Sequence, residues 1–276
     1  MTASNAPVRF EDRVSVTVEG AVAHVVLDRA DKLNALDGAM FDGLVAAGQY
    51  LHALAGLRCV VVSGAGRAFC AGIDLASLGE GGRWDNGALV ARSHGNANLP
   101  QQAAMAWRKL PVPVIAAVHG VCFGGGLQIA SGADIRVVAP DARLAVMEVK
   151  WGLVPDMAGF ALWRGMVRDD VLRELIYTHR EFSGEQAVAL GFATHADPDP
   201  LARALALAQV IAAQSPHAVR AAKALANRAP DMDIDAVLLA ESHVQHDLLH
   251  SRNQREAVQA GIERRAPCFI DPEPDR

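Results

Sequence analysis

The chain has 276 residues, 51% of them hydrophobic, and a formal charge of −5, enough apolar content to build a large core in one domain or in one domain with a helical appendage. So mild a charge speaks against nucleic acid or an anionic membrane surface as partner. No apolar run approaches the roughly 18 residues of a membrane span and residues 1–13 hold no signal-peptide core, so a cytoplasmic protein is expected.

In chain order, residues 14–18 alternate with period two, Glu19-Gly20 is a turn signal and residues 22–27 read as a second strand, which together make a β-hairpin. Asp37 can cap a helix reaching residue 54. Residues 59–62 are a buried strand ending in the glycine-punctuated loop 63–75, whose backbone can meet a ligand. Residues 78–98 are polar and glycine-rich and read as a mobile surface segment, followed by a helix over 101–110 that Pro111 stops. Residues 112–118 form a buried strand, and further short strands are expected at 135–138 and 144–146. Asp156 can cap a helix to residue 164, Asp169 or Asp170 another to 177, and Ser183-Gly184-Glu185-Gln186 is a capping box. From Pro200 onward everything reads as helix, over 201–213, 217–227, 234–249 and 254–265, and this tail is expected to pack on the core or on a neighbouring subunit. The four cysteines, Cys59, Cys70, Cys122 and Cys268, lack C-x-x-C spacing and read as reduced thiols.

Between the strand at 112–118 and the next helix stands His119-Gly120-Val121-Cys122-Phe123-Gly124-Gly125-Gly126-Leu127-Gln128. Three glycines at a helix start place bare N–H groups and the positive end of the helix dipole where a negatively charged oxygen can sit. They also permit a tight strand-to-helix turn and nothing more, and the stretch alone supports both readings equally. It is neither a G-x-G-x-x-G fingerprint nor a P-loop. The ten histidines show no metal-binding spacing, so no metal site is expected, and His119 reads as structural.

Residues 27–36, 66–75, 113–134 and 146–159, in this order, resemble the crotonase superfamily, the enoyl-CoA hydratase and isomerase fold, and the resemblance runs from about residue 14 to 269. It implies an α/β fold: a spiral of strand-strand-helix turns over 1–199 and a helical C-terminal region, 200–276, for packing and trimerisation. It also implies acyl-coenzyme A thioesters as substrates, with coenzyme A part of the substrate and no separate cofactor, and homotrimers or dimers of trimers. Carried over by position, the N–H groups of Ile73 and Gly125 would form the oxyanion hole, and the loop with Ala71, Asp74 and Leu75 would hold coenzyme A. Lys32 and Arg29 would be partners for its phosphates.

The acid–base positions depart from the pattern. Hydratases of the family resemble one another in carrying two glutamates, and here those positions hold Gln128 and Glu148, with Glu148 on the strand after the glycine helix. A glutamine amide can orient water or substrate but cannot exchange a proton near pH 7. Asp156, eight residues after Glu148, resembles the carboxylate pair of dienoyl-CoA isomerases, although those have aspartate where Gln128 stands. As a helix cap, Asp156 would be held ionised by the dipole and accept a proton first, leaving Glu148 to deliver one. The expectation is an enzyme forming a thioester enolate, an enoyl- or dienoyl-CoA isomerase with Glu148 and Asp156 catalytic. A hydratase tolerating Gln128 is the alternative, and a non-catalytic acyl-CoA-binding protein the alternative of another class.

Overall fold

The computed structural model describes residues 6–79, 83–85 and 87–272; the expectations for residues 1–5, 80–82, 86 and 273–276 lie outside them. The chain opens with β1 (Val8–Phe10), β2 (Val14–Glu19) and β3 (Val22–Leu27), paired antiparallel so that Val14 faces Leu27 and Glu19 faces Val22. Then come α1 (Gly38–His52), β4 (Cys59–Gly64), α2 (Leu99–Lys109), β5 (Val114–Val118), β6 (Val121–Phe123) and α3 (Gly125–Gly132). They are followed by β7 (Ile135–Val138), β8 (Arg143–Ala145), α4 (Gly159–Trp163), α5 (Asp169–Thr178), β9 (Phe182–Ser183), α6 (Gly184–Leu190) and β10 (His195–Ala196). The last four helices are α7 (Pro200–Ala212), α8 (Pro216–Arg228), α9 (Ile234–Leu248) and α10 (Arg252–Glu263).

Among the described residues, seven strands form one sheet in the order β1-β2-β3-β4-β5-β7-β10, parallel from β3 onward, and β6, β8 and β9 form a second, smaller one. Successive turns of the chain thus send one strand to the large sheet and, from β6 on, the next to the small one, the expected strand-strand-helix spiral. Parallel strands covered on both faces read as unbroken apolar runs; β5 (Val-Ile-Ala-Ala-Val) is buried at every position. One face carries the main core, with Trp107 and Trp163 fully enclosed, and the other carries a second cluster in which Val61, Ile115 and Val137 meet Ala204, Ala208 and Ala212 of α7. Alanine at those three places lets α7 lie close on the sheet. Helix α8 is tied down by Lys223, whose buried ammonium donates to Trp107 O (3.2 Å), Val112 O (2.8 Å) and the Asp134 carboxylate (2.7 Å).

Most local signals act where they stand. Asp37 accepts the Met40 N–H at 2.8 Å, and Ser183 with Gln186 closes a capping box. Helix α2 begins two residues earlier than its apolar pattern indicates because Asn98 and Gln101 form a capping box, whose Asn-x-x-Gln spacing went unread. The segment over 78–98, expected to be mobile, makes defined contacts in its described part. Arg83 donates to Asp42 at 2.7 Å, Trp84 stacks edge-on against Phe41 at 5.0 Å, and Asn98 donates to Leu89 O at 2.7 Å, so the segment is pinned to α1 and α2. Asp169 and Asp170 do not cap α5. They lie in its first turn, pair with Arg173 and Arg168, and leave Arg168 at the cap position.

Candidate active site

The loop after β4 is held from beneath by Asn34. Its buried amide donates to Ala65 O (3.0 Å), Ala68 O (2.8 Å) and Phe69 O (3.2 Å), and its Oδ1 accepts the Arg29 N–H at 2.8 Å. Farther along, Leu36 N–H donates to Gly72 O (2.8 Å) and Asp74 N–H to Leu36 O (3.0 Å). In such a parallel bridge the residue between the two bonds points its own N–H away from the partner strand. Ile73 therefore directs its N–H away from Leu36, on the side where it lines a cavity of about 690 Å³.

Gly125 lines the same cavity and is the first residue of α3, so its N–H is one of the donors a helix leaves without an intrahelical acceptor. Gly124, before it, has φ +49, a conformation side chains disfavour. The two donor segments lie against each other: a Cβ on Gly72 would come 2.8 Å from Phe123 O and 3.7 Å from Gly125 N. Gly125 itself has no room for a side chain, since a Cβ there would come 2.7 Å from both Leu36 Cδ1 and Met157 Sδ. The triple glycine thus serves close approach as well as the turn.

Glu148 is not on a strand, as the sequence reading placed it. It opens a 3-10 turn (Glu148–Trp151) three residues after β8, and Gly152 ends that turn in the left-handed conformation. Its side chain is buried beside the glycine cradle, with Oε1 accepting from Gln128 Nε2 at 2.6 Å and Oε2 buried without a partner. Burial pushes the carboxyl pKa up, the charge of Asp156 pushes it further, and the hydrogen bond from Gln128 works against both. Asp156 lines the cavity with Glu148. Its pKa is also raised, by desolvation among its neighbours, although the residue as a whole is exposed.

Asp156 caps nothing. Helix α4 starts at Gly159, after Ala158 with φ +68, and the acceptor for its first N–H groups is Gln128 Oε1, which takes Met157 N–H at 2.9 Å and Gly159 N–H at 2.8 Å. The expected role of the dipole in keeping Asp156 ionised falls with the cap. Trp163 fastens α4 to α3 by donating to Ser131 Oγ at 2.9 Å, so the loop carrying Asp156 is held at both ends.

Of the positions read from sequence, the structure brings Ala71, Ile73, Leu75, Gly125, Glu148 and Asp156 to one cavity. Gln128 stays behind it, fully buried and bonded to protein. Asp74 turns away: it accepts from Arg29 at 2.7 Å and from Ala76 N–H at 3.2 Å, and the guanidinium holds its carboxyl below the usual range. Arg29 is thereby paired, with Asp37 also 3.4 Å from its Nε, while Lys32 remains exposed. His119 bonds Gly66 O at 2.9 Å, as a structural residue would. The buried Cys59 and Cys70 thiols are pushed up to about 12, which makes them poor nucleophiles. Phe41, Trp84 and Met157, which line the cavity, and Asn34, which supports it, went unread because no local pattern separates them from ordinary core and turn residues; the one available signal for Asn34 was its place in the stretch 27–36.

Comparison with known proteins agrees with this geometry. Residues 17–272 match the family model described as enoyl-CoA hydratase/isomerase. The chain is 33% identical to the mitochondrial enoyl-CoA hydratase domain-containing protein 2 of Bos taurus, over 90% of this chain and 84% of that one. It is 32% identical to the mitochondrial Delta(3,5)-Delta(2,4)-dienoyl-CoA isomerase of Rattus norvegicus, over 93% and 81%. It superposes on the crystal structure of an enoyl-CoA hydratase from Bacillus anthracis with a TM-score of 0.85 at 28% identity, covering 93% of this chain and 98% of that one. The chain is an enzyme of the enoyl-CoA hydratase/isomerase family, with the crotonase fold.

Proposed function

We propose that the protein moves a double bond in an enoyl- or dienoyl-CoA, with Glu148 and Asp156 as proton carriers and the Ile73 and Gly125 N–H groups as the oxyanion hole. The observation that carries this reading is that Glu148 and Asp156 line one cavity with Ile73 and Gly125, while Gln128 is fully buried and bonded to protein. Removing a proton conjugated to a thioester carbonyl places negative charge on the carbonyl oxygen, where fixed N–H donors are worth most. The C–H proton passes to Asp156, an enolate forms, and Glu148 gives its proton to the distal carbon, making the new C–H bond. The pair then passes the proton back from Asp156 to Glu148. Burial and mutual repulsion, rather than a helix dipole, favour this order, because both raise the proton affinity of Glu148. Coenzyme A would lie along the backbone at Ala71 and Leu75.

Hydration needs a second group to orient and deprotonate water, and the Gln128 amide is committed to protein partners. The likeness to a solved hydratase favours hydration as the second reading. Incubating the protein with enoyl-CoA and dienoyl-CoA esters and following products by mass spectrometry separates them, since hydration adds the mass of water and isomerisation adds none. Efficient hydration of a trans-2-enoyl-CoA that Asp156→Asn leaves untouched would overturn the isomerase reading.

We further infer a trimer or pair of trimers built through the C-terminal helices. Ile234, Leu238 and Leu239 of α9 stand 78%, 56% and 58% exposed, more apolar surface than one helix leaves open without cause.

A further inference from the structure

Gln128 is fully buried, and its side chain makes three of the four hydrogen bonds an amide can make. All three join the segments that carry the carboxylates. Its oxygen takes the Met157 and Gly159 N–H groups at 2.9 and 2.8 Å, and its nitrogen donates to Glu148 Oε1 at 2.6 Å. Asp156 directly precedes Met157, so a single amide ties the turn of Glu148 to the loop of Asp156. It also decides which Glu148 oxygen is occupied, leaving Oε2 without a protein partner.

We propose that Gln128 is a positioning residue whose amide fixes Glu148 through Oε1 and holds the Asp156 loop at fixed reach, confining proton exchange to Oε2 and Asp156. It rests on the proposed isomerase chemistry for the identity of the two carriers. An amide and a carboxylic acid have the same shape, so the distinction lies in the donor end. In Gln128→Glu one oxygen can still take the two backbone N–H groups, but the other faces Glu148 Oε1 across 2.6 Å with no amide hydrogen between them. Two carboxyl oxygens that close coexist only by sharing a proton. That proton sits on the wrong oxygen of Glu148, and Glu148 ionises only at higher pH.

Several charged groups line the cavity with Glu148. Asp156 comes from the loop before α4, Lys150 from its own turn, Arg143 from β8 with Glu181 paired to it at 2.6 Å, and Asp85 from the segment before α2. Asp156 is the one whose charge bears on Glu148.

The test is the pH profile of kcat and KM for isomerisation by the wild type, Gln128→Glu and Gln128→Met, with Tm for each. Because Glu148 must hold its proton to act as the acid, Gln128→Glu is expected to move the alkaline limb of kcat to higher pH by about one unit or more. It should also lower the plateau roughly tenfold, since the proton is held on Oε1, with KM within about threefold and Tm little changed. Gln128→Met, which removes the bonds at both ends, should lower Tm, lower kcat and shift the limb less. A merely structural glutamine would lower Tm and leave the limb in place, so an unmoved limb in Gln128→Glu overturns the proposal. If Gln128→Glu does not fold, an unmoved limb in Gln128→Met overturns it equally. A wild type that turns over no acyl-CoA ester defeats the functional reading instead. The infrared difference band of Glu148, wild type minus Glu148→Gln, then reports its titration in each Gln128 background without substrate, and coincident titrations overturn the positioning role.

Discussion

Every one of the eight residues of α3 is buried, whereas none of the fifteen residues of α9 is. The first helix starts at Gly125, carries Gln128 and packs against α2 and α4; the second, next to last in the chain, leaves Ile234, Leu238 and Leu239 exposed. The contrast extends to whole regions. Before Pro200, turns of the spiral cover one another and close a core around the site. After it, α7 lies on the large sheet and α8 is tied down through Lys223, while α9 and α10 present Leu238, Leu239, Val258 and Ile262 to solvent. On the proposed reading catalysis belongs to the interior of the chain and assembly to its tail, so substitutions in the two regions should fail in different ways.

The largest expected effect lies in the closed region and separates activity from stability. Glu148→Gln should lower kcat by roughly a thousandfold, within the usual range for losing an acid–base group, while raising Tm at neutral pH. The sign follows from linkage. The folded-state pKa of Glu148 lies above its unfolded value, so its contribution to stability is fully present below the unfolded pKa and is lost as pH rises through the folded one. Above that window the wild type holds a buried charge that the uncharged amide of the variant avoids, so the variant's advantage in calorimetry should vanish on acidification. A variant that is less stable at pH 7 would mean that the carboxylate is better satisfied than its unpartnered Oε2 indicates.

Next in size is loss of an oxyanion donor. Replacing the Gly125 amide by an ester removes the N–H with little steric change and should cost about a hundred- to a thousandfold in kcat, with acyl-CoA affinity by calorimetry little altered. An unchanged rate would reduce Gly125 to a turn residue. Lys223→Met tests the joint between the regions: it leaves the Asp134 carboxylate, 21% exposed, with only the Val114 N–H at 2.7 Å and Arg108 at 4.0 Å, and should cost about 3 kcal/mol, toward the low end for breaking a buried pair. Denaturant unfolding should show that loss at any protein concentration, with kcat of the folded protein retained.

The smallest change in folding free energy is expected at the surface that sharpens the contrast most. Leu238→Glu with Leu239→Lys on α9 should shift subunit stability by only about 0.5 kcal/mol per site, yet turn an oligomer into monomers in analytical ultracentrifugation. A wild type that is already a monomer at micromolar concentration removes the contrast between interior catalysis and tail assembly.

Much of this was legible in residue order. Alternation in 14–18, the apolar run at 114–118 and caps at Asp37 and Ser183 act within a few residues of themselves, so local physics suffices to read them. The glycine run disclosed a helix start with bare N–H groups, and α3 begins there at Gly125. Other features depend on partners far along the chain. Gln128 meets Glu148 twenty residues on and Gly159 thirty-one residues on, which takes the cap away from Asp156. Arg29 pairs with Asp74, forty-five residues distant. Sequence by itself determined which groups could carry protons and where strands and most helices begin. Only the tertiary structure decided which of those groups face a common cavity, because a side chain's hydrogen bonds are settled by whatever the fold brings within about 3 Å of it, and that neighbour need not be near in sequence.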